Sequence, residues 1–214
     1  LGKNLIDNLN KKQNTIYIYA KRKKKFKTPK NVKVFKEDIF NIRKIQIKNS
    51  IIILTTLNNI NKNFEEKFKK LLNKIILSKP LKIILISSVS VYAKKQSLYS
   101  KNCKIAEKYC KLKFKNLIVL RAGNIFGENK TKPSYIEKLL IASINNLNLI
   151  ENKLNLKRSY IHIEEFCKAI SKIIQKNTKK YKLYNLSNKN YILSSYQIKQ
   201  LLIKKLKLKI SLKK

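Results

Sequence analysis

Glycine is nearly missing from this chain: only Gly2, Gly123 and Gly127 occur in 214 residues. Such scarcity rules out Gly-rich linkers and leaves no room for a complete glycine-rich phosphate loop. Proline is as rare, so no proline-rich hinge divides the sequence. Three cysteines (Cys103, Cys110 and Cys167) form no C-x-x-C pair, and His162 is the single histidine, so no structural metal site is expected. An odd cysteine count without secretory features points to reduced thiols; Cys103 and Cys110, seven apart, fall on one helical face as packing residues. No apolar run is as long as a membrane span and no leader pattern is present. The expectation is a cytoplasmic protein with no membrane partner.

Acidic residues are also few: 11 against 51 basic ones, a net charge of +40. Arginine supplies only Arg22, Arg43, Arg121 and Arg158 of the basic set. A dedicated nucleic-acid interface leans on forked arginine contacts. Lysine enriched together with asparagine, isoleucine and tyrosine follows A- and T-rich codons. The composition therefore reads as a lysine coat with weak, non-specific polyanion binding.

What is present is a regular alternation. Gly2 to Lys12 has apolar residues at helical spacing, and Thr15 to Ala20 is a β-branched and aromatic strand. Asn31 to Phe35 is a second strand. Ser50 to Leu57 and Leu81 to Ser88 are strands without polar alternation, as in a parallel sheet covered on both faces. Asn63 to Ser78 and Tyr99 to Phe114 are helices, and Asn116 to Leu120 is a further strand. After Gly127 come helices over Pro133 to Asn145, Glu164 to Gln175 and Ser194 to Leu206, with extended stretches at Arg158 to Ile163 and Tyr181 to Leu186. The pattern predicts an α/β fold, a Rossmann-like doubly wound parallel sheet over 1–127, and a small C-terminal α/β substrate lobe over 128–214. Open sheets of this kind take ligands beyond the carboxyl ends of their strands.

Four patterns sit at those ends: SSVSVY over 87–92, YSKNCKIAE over 99–107, LRAGNIFG over 120–127 and RSYIHIEE over 158–165. Their order and placement resemble the extended short-chain dehydrogenase/reductase family, the NAD-dependent epimerases and dehydratases of sugar nucleotides, from Gly2 to about Leu202. The resemblance implies hydride transfer at a sugar carbon, with Tyr99 exchanging the proton and Ser88 steadying the oxygen. It implies a nucleotide-sugar substrate approached by Asn124 and Arg158, and a homodimer.

The same resemblance implies cofactor contacts from Gly2, Lys21, Arg22, Asp38, Ile39, Thr55 and Lys104. Gly2 matches the last glycine of a G-x-x-G-x-x-G phrase at the start of the first helix, with a strand and two glycines expected upstream. Lys21-Arg22 at the second strand's end suits a 2′-phosphate, which favours NADP over NAD. The family places a lysine four residues after the tyrosine; here that position is Cys103, with Lys104 one residue further round the helix. That lysine holds the nicotinamide ribose and brings the tyrosine below its usual pKa of ~10. Its replacement carries an alternative: a catalytically impaired relative that serves as a nucleotide- or partner-binding protein.

Overall fold

A computed structural model describes residues 2–10, 15–19, 30–35, 37–45, 47–55, 63–127, 133–145, 149–150, 156–176, 180–188, 190–206 and 212–213. Two compact units divide the chain, one of residues 1–121 with 167–185, the other of 122–166 with 186–214.

The first unit opens with α1 (Gly2–Asn10), β1 (Ile16–Tyr19), β2 (Val32–Phe35) and β3 (Ile51–Leu54). Next come α2 (Phe64–Leu77), β4 (Lys82–Ser88), a short 3-10 turn over Val89–Tyr92, α3 (Leu98–Lys113) and β5 (Leu117–Ala122). β4 has no alternation because it lies inside a parallel sheet ordered β3-β4-β5-β9, where β9 is Lys182–Leu186. Its residues from Lys82 to Ser87 are all buried. β3 pairs in parallel with β4 from Ile51–Lys82 to Leu54–Leu85, and with no other strand among the described residues. Ile51 is accordingly exposed, where the apolar run SIIIL predicts burial. β1 and β2 form a separate parallel pair, from Ile16–Val32 to Tyr19–Phe35. A small cavity of about 120 Å³ touches both pieces through Tyr19 of β1 and Ile52, Ile53 and Leu54 of β3.

Helix α2 follows the spacing of its apolar residues: Phe64, Phe68, Leu71, Leu72 and Ile75 line its buried face. Glu65 and Glu66 complement the dipole at its start, Lys74 at its end. Helix α3 starts at Ser97, whose side chain accepts from the backbone N–H of Ser100 at 3.2 Å. Its buried face carries Cys103, Ala106 and Cys110. Such small side chains let the helix backbone come close to β4, which α3 packs against. Lys82 is buried in β4, and its ammonium donates to the carbonyls of Ile174 at 3.2 Å and Lys176 at 2.6 Å. Burial lowers the Lys82 pKa, and the two carbonyls satisfy its donors.

The second unit contains β6 (Asn124–Phe126), α4 (Tyr135–Ile144), β7 (Leu149–Ile150) and β8 (Arg158–His162). β8 runs into α5 (Ile163–Gln175), most of which belongs to the first unit. β10 (Ile192–Leu193), α6 (Ser195–Leu206) and β11 (Leu212–Lys213) complete it. β8 lies between β10, antiparallel, and β6, parallel. Leu139, Tyr160 and Ile198 make its core. Ser134 and Glu137 form a reciprocal capping box at the start of α4. Gly127 is left-handed at φ +112°, and a side chain there would meet the ring of His162 at 2.6 Å.

Candidate functional site

β4 delivers Ser87 and Ser88 at the carboxyl edge of its sheet, and the first turn of α3 delivers Tyr99. The Tyr99 phenol lies close enough to the Ser88 hydroxyl to be stabilised by it. The Ser88 oxygen also accepts from the backbone N–H of Ser90 at 3.1 Å, which caps the 3-10 turn and fixes that hydroxyl. Tyr99 is half-buried. Burial pushes its phenol above the ordinary tyrosine value, the Cys103 thiol adds to the rise, and Ser88 opposes it.

Cys103 lies one helical turn on from Tyr99 and is fully buried. Its thiol neighbours Tyr99 and Ser87. Burial raises its pKa, so it stays a neutral thiol. Ser87 then donates to Glu107 at 2.5 Å. Glu107 receives Arg121 through three contacts of 2.6, 3.0 and 3.2 Å. The pair is nearly closed to water, with 17 % of the Arg121 side chain and 11 % of Glu107 exposed. Arg121 also donates to the Tyr92 hydroxyl at 2.6 Å, and Tyr92 donates to Asn185 at 3.1 Å. The hydrogen bonds to Glu107, with Tyr92 and the Glu107 charge adding to them, raise the Arg121 pKa against the opposing effect of burial, so its charge is permanent. One polar line thus joins β4, α3 and β5, from Ser87 through Glu107 to Arg121, with Tyr99 and Cys103 on the same face of α3.

Sequence reading passed over Ser87 and Glu107 in this line. The available signal was register: Glu107 follows Tyr99 by eight residues and Cys103 by four, on the same face of one helix.

Several candidates stand apart from that line. Lys104 is exposed on α3, a continuous helix that does not turn it toward Tyr99. Gly2 opens α1. Asp38 follows β2 and accepts from the backbone N–H of Phe40 at 3.1 Å. Asp38 also lines a cavity of about 520 Å³ with Glu37, Asn41, Ile42, Arg43 and Lys44. Ile39 packs on the first unit's core, and Thr55 is exposed just after β3. Lys21 and Arg22 lie outside the described residues. In the second unit, Asn124 donates to the Ser159 carbonyl at 3.1 Å, while Arg158 is exposed on β8. His162 packs edge-on to Phe126 and accepts, through Nδ1, from the backbone N–H of Glu164.

No cluster of histidine, cysteine or carboxylate side chains suited to a metal occurs among the described residues. The residues that could hold a dinucleotide are Asp38 at the cavity after β2 and Gly2 at a helix N-terminus. At the position where the resemblance implies a lysine, the structure holds the buried thiol of Cys103.

A parallel sheet flanked by helices defines a Rossmann-type α/β protein. The chain belongs to the NAD dependent epimerase/dehydratase family, whose model matches residues 1–187. No curated protein matches it. Among solved structures it is similar to MoeE5 in complex with UDP-glucose and NAD, with TM-score 0.81 and 12 % identity, covering 99 % of this chain and 81 % of that one. It is also similar to UDP-glucuronic acid 4-epimerase from Bacillus cereus, with TM-score 0.74, 16 % identity, and 86 % and 69 % of the two chains covered. UDP-N-acetylglucosamine 4-epimerase from Methanobrevibacter ruminantium M1 matches at TM-score 0.76 and 17 % identity, over 98 % and 81 %. At these identities the likeness speaks for the fold. No helix among the described residues is long and apolar enough to cross a membrane.

Proposed function

We propose that this protein binds a nicotinamide dinucleotide and a nucleotide sugar, and handles the sugar as the family's epimerases and dehydratases do, by hydride transfer at a sugar carbon. The observation that carries this reading is the approach of Tyr99, in the first turn of α3, to Ser88 at the end of β4, at the sheet's carboxyl edge. Two hydroxyls from neighbouring elements there reach a single sugar oxygen, Ser88 to hold it and Tyr99 to exchange its proton. The cofactor supplies the hydride chemistry when bound. Asp38, Ile39 and Thr55 follow β2 and β3 and would receive its adenosine end, with Gly2 at the pyrophosphate. Asn124 and Arg158 would meet the sugar nucleotide, Arg158 as a forked donor to the diphosphate. Similar structures support the ligand class, since MoeE5 is in complex with UDP-glucose and NAD. Lys21 and Arg22 favour NADP, whereas MoeE5 and the Bacillus cereus epimerase are in complex with NAD.

Nicotinamide fluorescence on titration with NADPH and with NADH, with and without UDP-glucose, tests the reading. Saturable binding that UDP-glucose changes is expected, and no binding of either dinucleotide refutes it. Cys103 favours a second reading, a member that binds nucleotide without turning it over. Tyr99→Phe separates the two, because it abolishes turnover in the first and changes nothing in the second.

A further inference from the structure

One guanidinium holds both ends of the segment that carries Ser88. At the near end, the Ser87 hydroxyl donates to Glu107 at 2.5 Å, and Arg121 grips Glu107 through Nε and Nη2. At the far end, Nη1 of the same arginine donates to the Tyr92 hydroxyl at 2.6 Å. The guanidinium also lies 4.7 Å from the centre of the Tyr92 ring. Tyr92 in turn donates to Asn185, near the end of β9, at 3.1 Å. Between these points Ser88 accepts from the Ser90 N–H, and the Ala93 N–H donates to the Ser90 carbonyl at 3.1 Å.

Packing does not account for where the Tyr92 ring lies. Its residue is 59 % exposed, whereas Val91 beside it is buried. An exposed ring loses rotamer freedom when it is fixed and regains little through apolar burial. What orders Tyr92 is its hydroxyl, bonded to side chains of two different strands, one of them charged.

Resting on the site reading above, we propose that Tyr92 is a positioning residue: bridging Arg121 and Asn185, it clamps the 3-10 turn to β5 and β9 and so sets where the Ser88 hydroxyl meets a nucleotide sugar. Tyr92 touches no reacting atom and acts through Ser88. Without its hydroxyl only the Ser87 end stays tied, and the turn gains freedom beyond it.

The test is a double-mutant cycle on the full chain with NADPH or NADH bound, in which UDP-glucose is titrated and nicotinamide fluorescence is followed. Tyr92→Phe keeps the ring and removes the hydroxyl. It is expected to weaken UDP-glucose binding about fivefold or more, the worth of one hydrogen bond, and to leave dinucleotide affinity within about twofold. In a Ser88→Ala background the same change is expected to cost less than about twofold, because the hydroxyl it positions is gone. Equal effects in the two backgrounds overturn the proposal, and so does a UDP-glucose affinity that Tyr92→Phe leaves unchanged. In the unliganded chain, the Ser90 and Ala93 amides are expected to exchange about tenfold faster in Tyr92→Phe, with Ile84 of β4 unchanged; wild-type rates at Ser90 and Ala93 overturn the clamp. Where Tyr92→Phe does not fold, Asn185→Ala, which keeps the tyrosine and removes one tether, is read in the same way. A wild-type chain that binds neither dinucleotide, or on which UDP-glucose has no effect, overturns the site reading and the role of Tyr92 together. Wild-type binding of both with a failed cycle overturns the role of Tyr92 alone.

Discussion

Removing Arg121 is the most informative single perturbation of this molecule. Arg121→Met keeps the bulk of the stem and deletes the guanidinium, along with its three contacts of 2.6 to 3.2 Å to Glu107 and its bond to Tyr92. Glu107 then keeps only the Ser87 hydroxyl among these partners, in a place where 11 % of its side chain sees water. Breaking one side of a buried pair costs about 3–5 kcal/mol, and the residual exposure here brings the expectation to roughly 2–4 kcal/mol. Replacing both partners by apolar residues, Arg121→Met with Glu107→Leu, removes the stranded charge, so the double variant is expected to be about 2 kcal/mol more stable than the sum of the single effects predicts. Urea unfolding of the wild type, both single variants and the double variant closes the cycle. A loss below about 0.5 kcal/mol for Arg121→Met would place the pair in the class of solvated surface bridges and refute the reasoning.

Three further expectations concern other groups. Burial pushes the Cys110 thiol from 9.0 up to about 12, so its contribution is fully present below pH 9 and lost as pH rises toward 12. The loss is about 4 kcal/mol at ~1.4 kcal/mol per pH unit, and Cys110→Ala should flatten the alkaline limb of stability against pH, whereas an unchanged limb counts against it. Lys82→Met leaves the Ile174 and Lys176 carbonyls without their ammonium donor. The expected cost is about 1 kcal/mol, read as faster amide exchange in the last turn of α5; exchange at the wild-type rate would contradict it. Gly127→Ala combines a left-handed φ of +112° with a contact of 2.6 Å to the His162 ring, so a loss of about 1–3 kcal/mol is expected in thermal unfolding, and a neutral effect would show that the loop yields freely.

Much of the fold was legible because it obeys local rules. LKIILISS reads as a buried strand since no polar residue interrupts it, and β4 is buried from Lys82 to Ser87. Helix α2 follows from the spacing of Phe64, Phe68, Leu71, Leu72 and Ile75. The short strands β6, β7, β10 and β11 were not legible, because two or three residues carry no period and their pairing is set by distant partners. The edge position of β3 was hidden for a related reason: an apolar run does not say how many neighbours a strand has. For the site, the positions of Ser88 and Tyr99 came from a resemblance, while Cys103 beside Tyr99 follows from helical spacing alone. The Arg121–Glu107 pair joins two elements 14 residues apart and leaves no local signature.

The partner chosen for Glu107 has a consequence for how the molecule meets its surroundings. In a chain so rich in lysine, it is one of the four arginines that latches the helix to the sheet. Brine or alkali quiets the outer ammonium groups, the first by screening and the second by deprotonation, but a sheltered guanidinium is immune to both. The long-range pull on an anionic nucleotide and the shape of the place that receives it are therefore governed separately. Capture should slow steeply as ionic strength climbs, while the geometry around Tyr99 stays as it was.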